Sequence, residues 1–445
     1  MSDLFIIGAS GTRAYRTAMA AISENIANAG TEGYARRSVT TAEAGSSTAT
    51  MALYVAKANF GGTQVAGIDR AADPYLDASV RMTGMSLASA TARMRWLSDT
   101  ETALNDSDTG IGRLMSTLYA TTDKLAASPG DTALRVTTLD SMARVAEGFR
   151  QTAADLNTAS AGIATEAQSA VNTANSAMDR LARINNSLLR AQPGTSAYAQ
   201  LLDSRDSALQ DLTTSLNVDI RFGTRDSVEI RYGGQLLVAG QDAAGLTVAA
   251  GADGRLSLST ADGTALPAPS GGTLGGLFSA ATVTADRHAS LDAVARQFVT
   301  DINDWHAQGL TDAGSAGRAL LSHGAGAATV GILLTDPAQL AIRSADGVLN
   351  GNLLAVASTL RGDGSVEQGW TALIATHANL MMATRAELAT AQGRNDQAVA
   401  AREDVSGVDL DMEAADLLRI QQAYSGCARI LQMARDTVDA ILKIV

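Results

Sequence analysis

Histidine is the side chain most often used to bind a metal ion or to transfer a proton near neutral pH. This chain has four histidines, and they lie far apart at His288, His306, His323 and His377. No two of them have the three- or four-residue spacing that places two ligands on one face of a helix, and no HExxH sequence occurs. Their distribution therefore predicts neither a metal centre nor a catalytic base.

The other candidates for chemistry are also weak. The charged cluster Asp203-Ser204-Arg205-Asp206 is interpreted as the start of a helical turn with local salt bridges. Gly110-Ile111-Gly112 and Gly271-Gly272 lack the strand–loop–helix setting of a phosphate-binding loop. The single cysteine, Cys427, lies in an apolar stripe, which favours a core residue over a nucleophile. We expect a non-enzymatic protein without cofactors or metal ions.

Composition excludes further classes of function. The 445 residues carry a net charge of −12 and contain no run of Lys and Arg, so we expect no nucleic-acid binding. Asp3 stands where a signal peptide needs basic residues, and no segment approaches the ~18 apolar residues of a membrane span. We therefore expect no membrane insertion and no cleaved signal peptide. The chain has only six prolines and 4% aromatic residues, which permits long helices with thin contacts.

The elements that would position side chains are clearest at the two ends. A first helix is predicted from about Leu4 to Ala29, and it carries two neighbouring stripes. The stripe of larger residues comprises Tyr15, Met19, Ile22 and Ile26 and ends at Ala29. The stripe of smaller residues comprises Leu4, Ile7, Gly11, Ala14, Ala18 and Ala21. Two stripes indicate two buried faces, and the face lined by the smaller residues would let a neighbouring helix approach closely.

The last helix is predicted from Leu410 to Val445, with apolar residues at steps of three and four. This stripe includes Leu417, Ile420, Tyr424, Cys427, Leu431, Ala434, Val438 and Ile441. Glu413 alone interrupts it. An amphipathic helix on a globular core would show the same pattern, but the length and terminal position favour a coiled coil. We expect the two terminal helices to pack together.

The middle of the chain is predicted as a helical bundle with a small β subdomain, so the fold class is mainly α. Its predicted elements are an extended connector over 36–70, helices over 75–127, about 131–192 and 198–216, strands over 218–276, and helices near 291–302 and 370–402. The predicted domains are 1–60 (N-terminal helix and connector), 61–216 (helical), 217–285 (β subdomain), 286–402 (helical) and 403–445 (C-terminal helix).

Both ends resemble the bacterial flagellar axial family of rod, hook and hook-associated proteins. Residues 23–34 are similar to the family signature SxNIANxxTxGY, through Asn25, Ile26, Asn28, Gly33 and Tyr34. Residues 406–430 resemble the family's C-terminal helix and include the pair Gln421 and Gln422 followed by Tyr424. Two signatures at opposite ends are far more specific than one.

Within the family, the helical middle and the segments 202–206 and 303–309 resemble the hook-associated members. Such members usually carry an outer β domain between the second segment and a later DPxxIA-like stretch. Here that stretch begins at Asp336, only about two dozen residues after Gly309, so the outer domain is expected to be missing.

The resemblance implies a structural subunit that is exported unfolded through the flagellar type III pathway, with the help of an export chaperone. It implies a homo-oligomeric ring outside the cell at the hook–filament junction, with the hook protein below and hook-associated protein 3 above. Two alternatives remain open. A rod or hook protein would have a predominantly β middle, and a chemoreceptor-like signalling bundle would need membrane spans.

Overall fold

The computed structural model describes residues 2–31, 33–44, 61–104 and 107–443. Its helices are α1 (Ser2–Ala27), α2 (Pro74–Leu104), α3 (Ile111–Ala127), α4 (Thr132–Arg190), α5 (Ser196–Ser215), α6 (Gly272–Gln308), α7 (Gly351–Leu354), α8 (Val356–Leu360), α9 (Val366–Ser406) and α10 (Leu410–Leu442). Its strands are β1 (Arg37–Glu43), β2 (Thr63–Arg70), β3 (Asp219–Phe222), β4 (Val228–Tyr232), β5 (Gln235–Ala239), β6 (Asp242–Ala243), β7 (Leu246–Ala250), β8 (Leu256–Thr260), β9 (Ala265–Leu266), β10 (Leu321–Ser322) and β11 (Gly331–Ile332). The predicted mainly α fold with a small β subdomain is confirmed.

The connector after α1 forms a ribbon of two antiparallel strands, β1 and β2, in which Arg37 lies opposite Arg70. Short strands were predicted for this segment, and the structure confirms them on either side of residues 45–60, which lie outside the described residues. The ribbon is attached to the rest of the molecule by backbone hydrogen bonds. The amide of Ile68 donates to the carbonyl of Gly194, and the amide of Arg36 donates to the carbonyl of Ser406.

The predicted helical segment over 75–127 is two helices rather than one, and this prediction was wrong. The chain turns where the amide of Gly110 donates to the carbonyl of Ser107 at 3.0 Å. Gly110 is extended and caps the start of α3. The apolar period continues on both sides of the turn, so the pattern alone did not reveal the break.

Helix α4 is the axis of the middle domain. Its 59 residues make a rod of about 88 Å. Asp131 caps its start by accepting hydrogen bonds from the amides of Ala133 and Leu134. At Gly162 the rod lies so close to the ring of Trp96 that a Cβ atom would overlap it. Residues of α4 enter both hydrophobic cores, one shared with α3, α6 and α9 and the other with α5, α6 and the β subdomain.

The β subdomain comprises two small antiparallel sheets, ordered β3-β4-β5-β6 and β7-β8-β9. The hairpin predicted at Gly233-Gly234 is confirmed, and both glycines have positive φ, at 56° and 84°. The strands end at Leu266, and α6 already begins at Gly272. The strand prediction therefore extended too far, because the glycine-rich start of α6 looks like turn sequence. The predicted domain boundaries themselves stay predictions.

Candidate functional site: the terminal hairpin and the polar junction

Helices α1 and α10 pack against each other, and we call this pair the terminal hairpin. A Cβ atom on Gly8 would lie 2.8 Å from Cγ of Leu431, and one on Gly11 would lie 2.5 Å from Sγ of Cys427. The pairing is antiparallel, because the residue that faces later positions of α1 comes from earlier positions of α10. The predicted stripe of small residues is thus the face of α1 that lies closest to α10.

Burial within the hairpin is uneven. On α1, Ala14 is 1% exposed and Ile22 is 9% exposed. The other predicted residues of the larger stripe, Tyr15, Met19 and Ile26, are half-buried. On α10, half-buried positions include Leu417, Ile420, Leu431 and Val438. Tyr424 and Ile441 are exposed, at 36% and 42%. One chain therefore covers the predicted packing residues only in part.

Asn25 is the centre of the N-terminal signature. Its Oδ1 accepts hydrogen bonds from the Tyr34 hydroxyl at 2.8 Å and from the Arg37 amide at 2.9 Å. Its Nδ2 donates to the Arg37 carbonyl at 2.9 Å and to Oε2 of Glu413 at 3.0 Å. Asn25 is 1% exposed, and an amide side chain has only two donors and one acceptor oxygen. This one side chain holds together the end of α1, the start of β1 and α10.

The remaining signature residues shape the turn between α1 and β1, or lie on the surface. The side chain of Asn28 donates to the carbonyl of Glu24 at 2.9 Å, one residue after α1 ends. Gly33 has a φ of 77°, which favours glycine because a Cβ atom is strained there. Gln421 and Gln422 are exposed on α10. The C-terminal pair is thus a surface feature of the isolated chain.

In the sequence Glu413 interrupts the apolar stripe of α10, and the structure gives this side chain polar partners. Glu413 is 3% exposed, accepts a hydrogen bond from Asn25 and lies 3.7 Å from the Arg36 guanidinium. The available signal was its position, since Glu413 keeps the three-and-four spacing of the stripe. A charged residue that keeps the spacing of a buried seam needs a polar partner on the facing helix.

The ribbon is joined to the middle domain through ion pairs. Arg37 lies 2.8 Å from Glu24 and 2.8 Å from Asp203 of α5. Arg70 lies 2.8 Å from Asp203 and 3.0 Å from Asp206. We call the whole group the polar junction, and its members are Glu24, Asn25, Tyr34, Arg36, Arg37, Arg70, Asp203, Asp206 and Glu413.

The structure corrects the interpretation of Asp203-Ser204-Arg205-Asp206 as the start of a helical turn. The cluster lies in the middle of α5, which begins at Ser196. The expected local salt bridge exists between Arg205 and Asp206 at 2.7 Å, but the long-range partners are the two arginines of the ribbon. Arg37 and Asp203 lie far apart in the sequence, so no local pattern could predict that they pair.

Burial in the polar junction changes proton affinities. It raises the pKa of Tyr34 to about 12, although Arg37 lowers it. It also raises the pKa of Asp203, although Arg70 and Arg37 lower it. Burial by itself would lower the pKa of Arg37, but hydrogen bonds to Asp203 and Glu24 raise it above its ordinary value. The fold therefore favours the neutral Tyr34 phenol and the charged Arg37 guanidinium.

Two histidines are buried in the middle domain. The amide of Ala341 donates to Nε2 of His306 at 2.8 Å, so Nδ1 carries the proton and donates to the carbonyl of Arg318 at 2.5 Å. Nε2 of His377 lies 2.9 Å from the carbonyl of Leu97. Burial lowers the pKa of both imidazoles. His306 holds the loop that follows α6, where the segment up to Asp336 contains only the short strands β10 and β11 and one turn of 3-10 helix.

No group of three or more His, Cys, Asp and Glu residues in the described ranges is arranged to hold a metal ion. Across the same ranges, no helix combines the length and apolar character that crossing a bilayer requires.

Comparisons with known proteins agree on one family. A family model described as the flagellar hook-associated protein FlgK helical domain matches residues 97–321, about half of the chain. The chain is 23% identical to flagellar hook-associated protein 1 of Bacillus subtilis, over 96% of this chain and 95% of that protein. It is 25% identical to the Escherichia coli protein of the same name, over 72% of this chain and 59% of that protein.

A solved structure, that of the flagellar hook junction protein FlgK from Burkholderia pseudomallei, shares the fold with a TM-score of 0.50 and 21% identity. The match covers 57% of this chain and 47% of that chain. The described chain therefore spans just under half of the solved protein, and it spans almost all of the Bacillus subtilis relative.

Proposed function

Because the chain belongs to the flagellar hook-associated protein FlgK family, we propose that it is a structural subunit of the hook–filament junction of the bacterial flagellum. The family match favours this role over a rod or hook protein and over a chemoreceptor-like signalling bundle. The helical middle domain built on α4 also favours it, because rod and hook proteins were expected to have a β middle.

The observation that carries the proposal is the surface that the terminal hairpin leaves uncovered. Large apolar side chains are exposed on both of its helices: Leu4, Phe5, Ile6, Leu410, Met412, Leu418, Met433, Ile441 and Leu442. Exposed large apolar side chains in this number on one pair of helices indicate a protein interaction site. We propose that neighbouring subunits cover it in a homo-oligomeric ring. The residues proposed for this packing are Tyr15, Met19, Ile22, Ile26, Leu417, Ile420, Tyr424, Leu431, Val438 and Ile441.

The finer assignments rest on the family. The hook protein would lie below the ring and hook-associated protein 3 above it, outside the cell. The chain would reach this place through the flagellar export machinery after release from an export chaperone, without a cleaved signal peptide. Packing of helices would be its whole chemistry, without catalysis, cofactor, nucleic acid or membrane insertion.

Deletion of the gene tests the proposal. Without the junction, filament subunits would have no attachment site on the hook. Electron microscopy should therefore show complete hooks without filaments, and filament protein should appear in the medium. Full-length filaments on the deletion strain would reject the junction role. Absent hooks would move the chain to the rod or hook class. A tagged chain that restores filaments should also be found at the distal end of isolated hooks.

A further inference from the structure

The seam of the terminal hairpin contains one polar residue from each helix. On α1, the stripe of small residues continues from Ala21 by one step of four to Asn25. On α10, Glu413 lies three residues after Leu410 and four before Leu417, so it keeps the spacing of the stripe. Asn25 and Glu413 are 1% and 3% exposed, and their side chains meet at 3.0 Å. The two polar seam residues therefore face each other.

The register of the two helices is continuous between this pair and the glycine contacts. Gly11 faces Cys427, and Asn25 faces Glu413. The step from Gly11 to Asn25 is two heptads forward on α1, and the step from Cys427 to Glu413 is two heptads back on α10. The seam therefore keeps one antiparallel alignment over this length.

Apolar packing alone would allow other alignments. A slip of α10 by one heptad, about 10 Å, would move Cys427 from Gly11 to Ala18 or to Leu4, and all three are small or apolar. The apolar positions recur at the same spacing, so other apolar contacts would replace most of the present ones, with loss of the close approach between Gly11 and Cys427. One slip would place Glu413 against Ala18, and the opposite slip would place Asn25 against Ile420. Either slip leaves a buried polar group without its partner.

We propose that Asn25 and Glu413 set the register of the terminal hairpin. Asn25 suits this role because it is itself fixed. Both backbone groups of Arg37 bind its amide, at 2.9 Å each, and so hold it to the start of β1. Arg36 lies near the second oxygen of Glu413, at 3.7 Å. These contacts fix the position of α10 relative to the ribbon. The ion pairs of Arg37 in turn fix the ribbon to the middle domain.

The single natural cysteine provides a direct test, because a disulfide to Cys427 reports which residue of α1 faces it. Gly11→Cys, Ala18→Cys and Leu4→Cys are made separately in the full chain and oxidised mildly. Non-reducing electrophoresis separates the intrachain disulfide from dimers. With Glu413 present, Gly11→Cys should form the intrachain disulfide. The other two variants should form it at least ~10-fold more slowly, because a slip must first separate the side chains of Asn25 and Glu413.

In a Glu413→Leu background the preference for a disulfide at position 11 should be lost. Ala18→Cys or Leu4→Cys should then form the disulfide with Cys427 at a rate comparable with that of Gly11→Cys. Glu413→Gln is the matched control, since its amide oxygen still accepts from Asn25, and it should keep selectivity for position 11. Tryptophan fluorescence reports the fold of the middle domain throughout, because the three tryptophans lie in α2, α6 and α9.

Three outcomes would overturn the proposal. Unchanged selectivity in Glu413→Leu would mean that the shape of the glycine contacts sets the register. Loss of the disulfide at all three positions in that background would mean that the pair supplies stability without selecting a register. Disulfide-linked dimers in place of the intrachain product would mean that α10 pairs with another copy.

Discussion

The strongest test of the polar junction is the replacement Arg37→Gln. The Arg37 side chain is 4% exposed and is bound to Asp203 and Glu24 at 2.8 Å each. Glutamine keeps the polarity but removes the charge and both ion pairs. A hydrogen bond to a charged group contributes about 1.5–3 kcal/mol, and removing one partner of a buried ion pair costs about 3–5 kcal/mol. We expect the ribbon to lose about 3 kcal/mol of local stability.

Native-state hydrogen exchange of the β1 and β2 amides measures this loss, because it reports local opening. A loss of about 3 kcal/mol corresponds to exchange faster by ~100-fold, since each 1.4 kcal/mol is a factor of ten. The unfolding midpoint of the middle domain, followed by tryptophan fluorescence, should change much less, because Arg37 lies outside both hydrophobic cores.

Arg180→Gln is the matched control. Arg180 also pairs with an aspartate of α5, Asp211, but both side chains are more than two-fifths exposed. An exposed pair contributes about 0–1 kcal/mol, so exchange of the ribbon amides should change by less than ~5-fold. Equal effects of the two replacements on the ribbon would refute the reasoning that burial gives the Arg37 pairs their importance.

Three further predictions concern other parts of the molecule. Leu431→Asp should place an unpaired charge beside Gly8 and prevent incorporation into flagella, at a cost of several kcal/mol, whereas the exposed neighbour replacement Gln432→Asp should assemble normally. Burial lowers the pKa of His377, so the unfolded chain takes up a proton first as pH falls below about 6.5, and stability is lost. The urea midpoint should therefore fall between pH 7.5 and pH 5, and His377→Met should reduce that fall while the exposed replacement His323→Gln should not. Burial raises the pKa of Tyr34 to about 12, so the folded chain keeps this proton between about pH 10 and 12, where the unfolded chain releases it. The stability of the folded chain should therefore decrease across that range. In Tyr34→Phe this decrease should be smaller, and unfolding at rising pH can be followed by ultraviolet absorbance.

The helices could largely be predicted from the sequence, whereas the contacts of the polar junction could not. The stripes on α1 and α10 predicted two long helices and a close approach along Gly11, since a helix places residues three and four apart on one face. The glycine pair at 233–234 predicted its hairpin for a similarly local reason. The break between α2 and α3 was missed because the apolar period runs through it, and the start of α6 was missed because its glycines resemble a turn.

The sequence by itself determined the helices, the hairpin turn and the family signatures at both ends, because these depend on residues that are neighbours along the chain. Only the tertiary structure decided which charges meet. Arg37 pairs with Asp203 from 166 residues away, and Asn25 meets Glu413 from 388 residues away. Many carboxylates could have served as partners for these groups. The path of the chain through the ribbon and α5 selects among them, because an ion pair or hydrogen bond forms only where folding brings two side chains within about 3 Å.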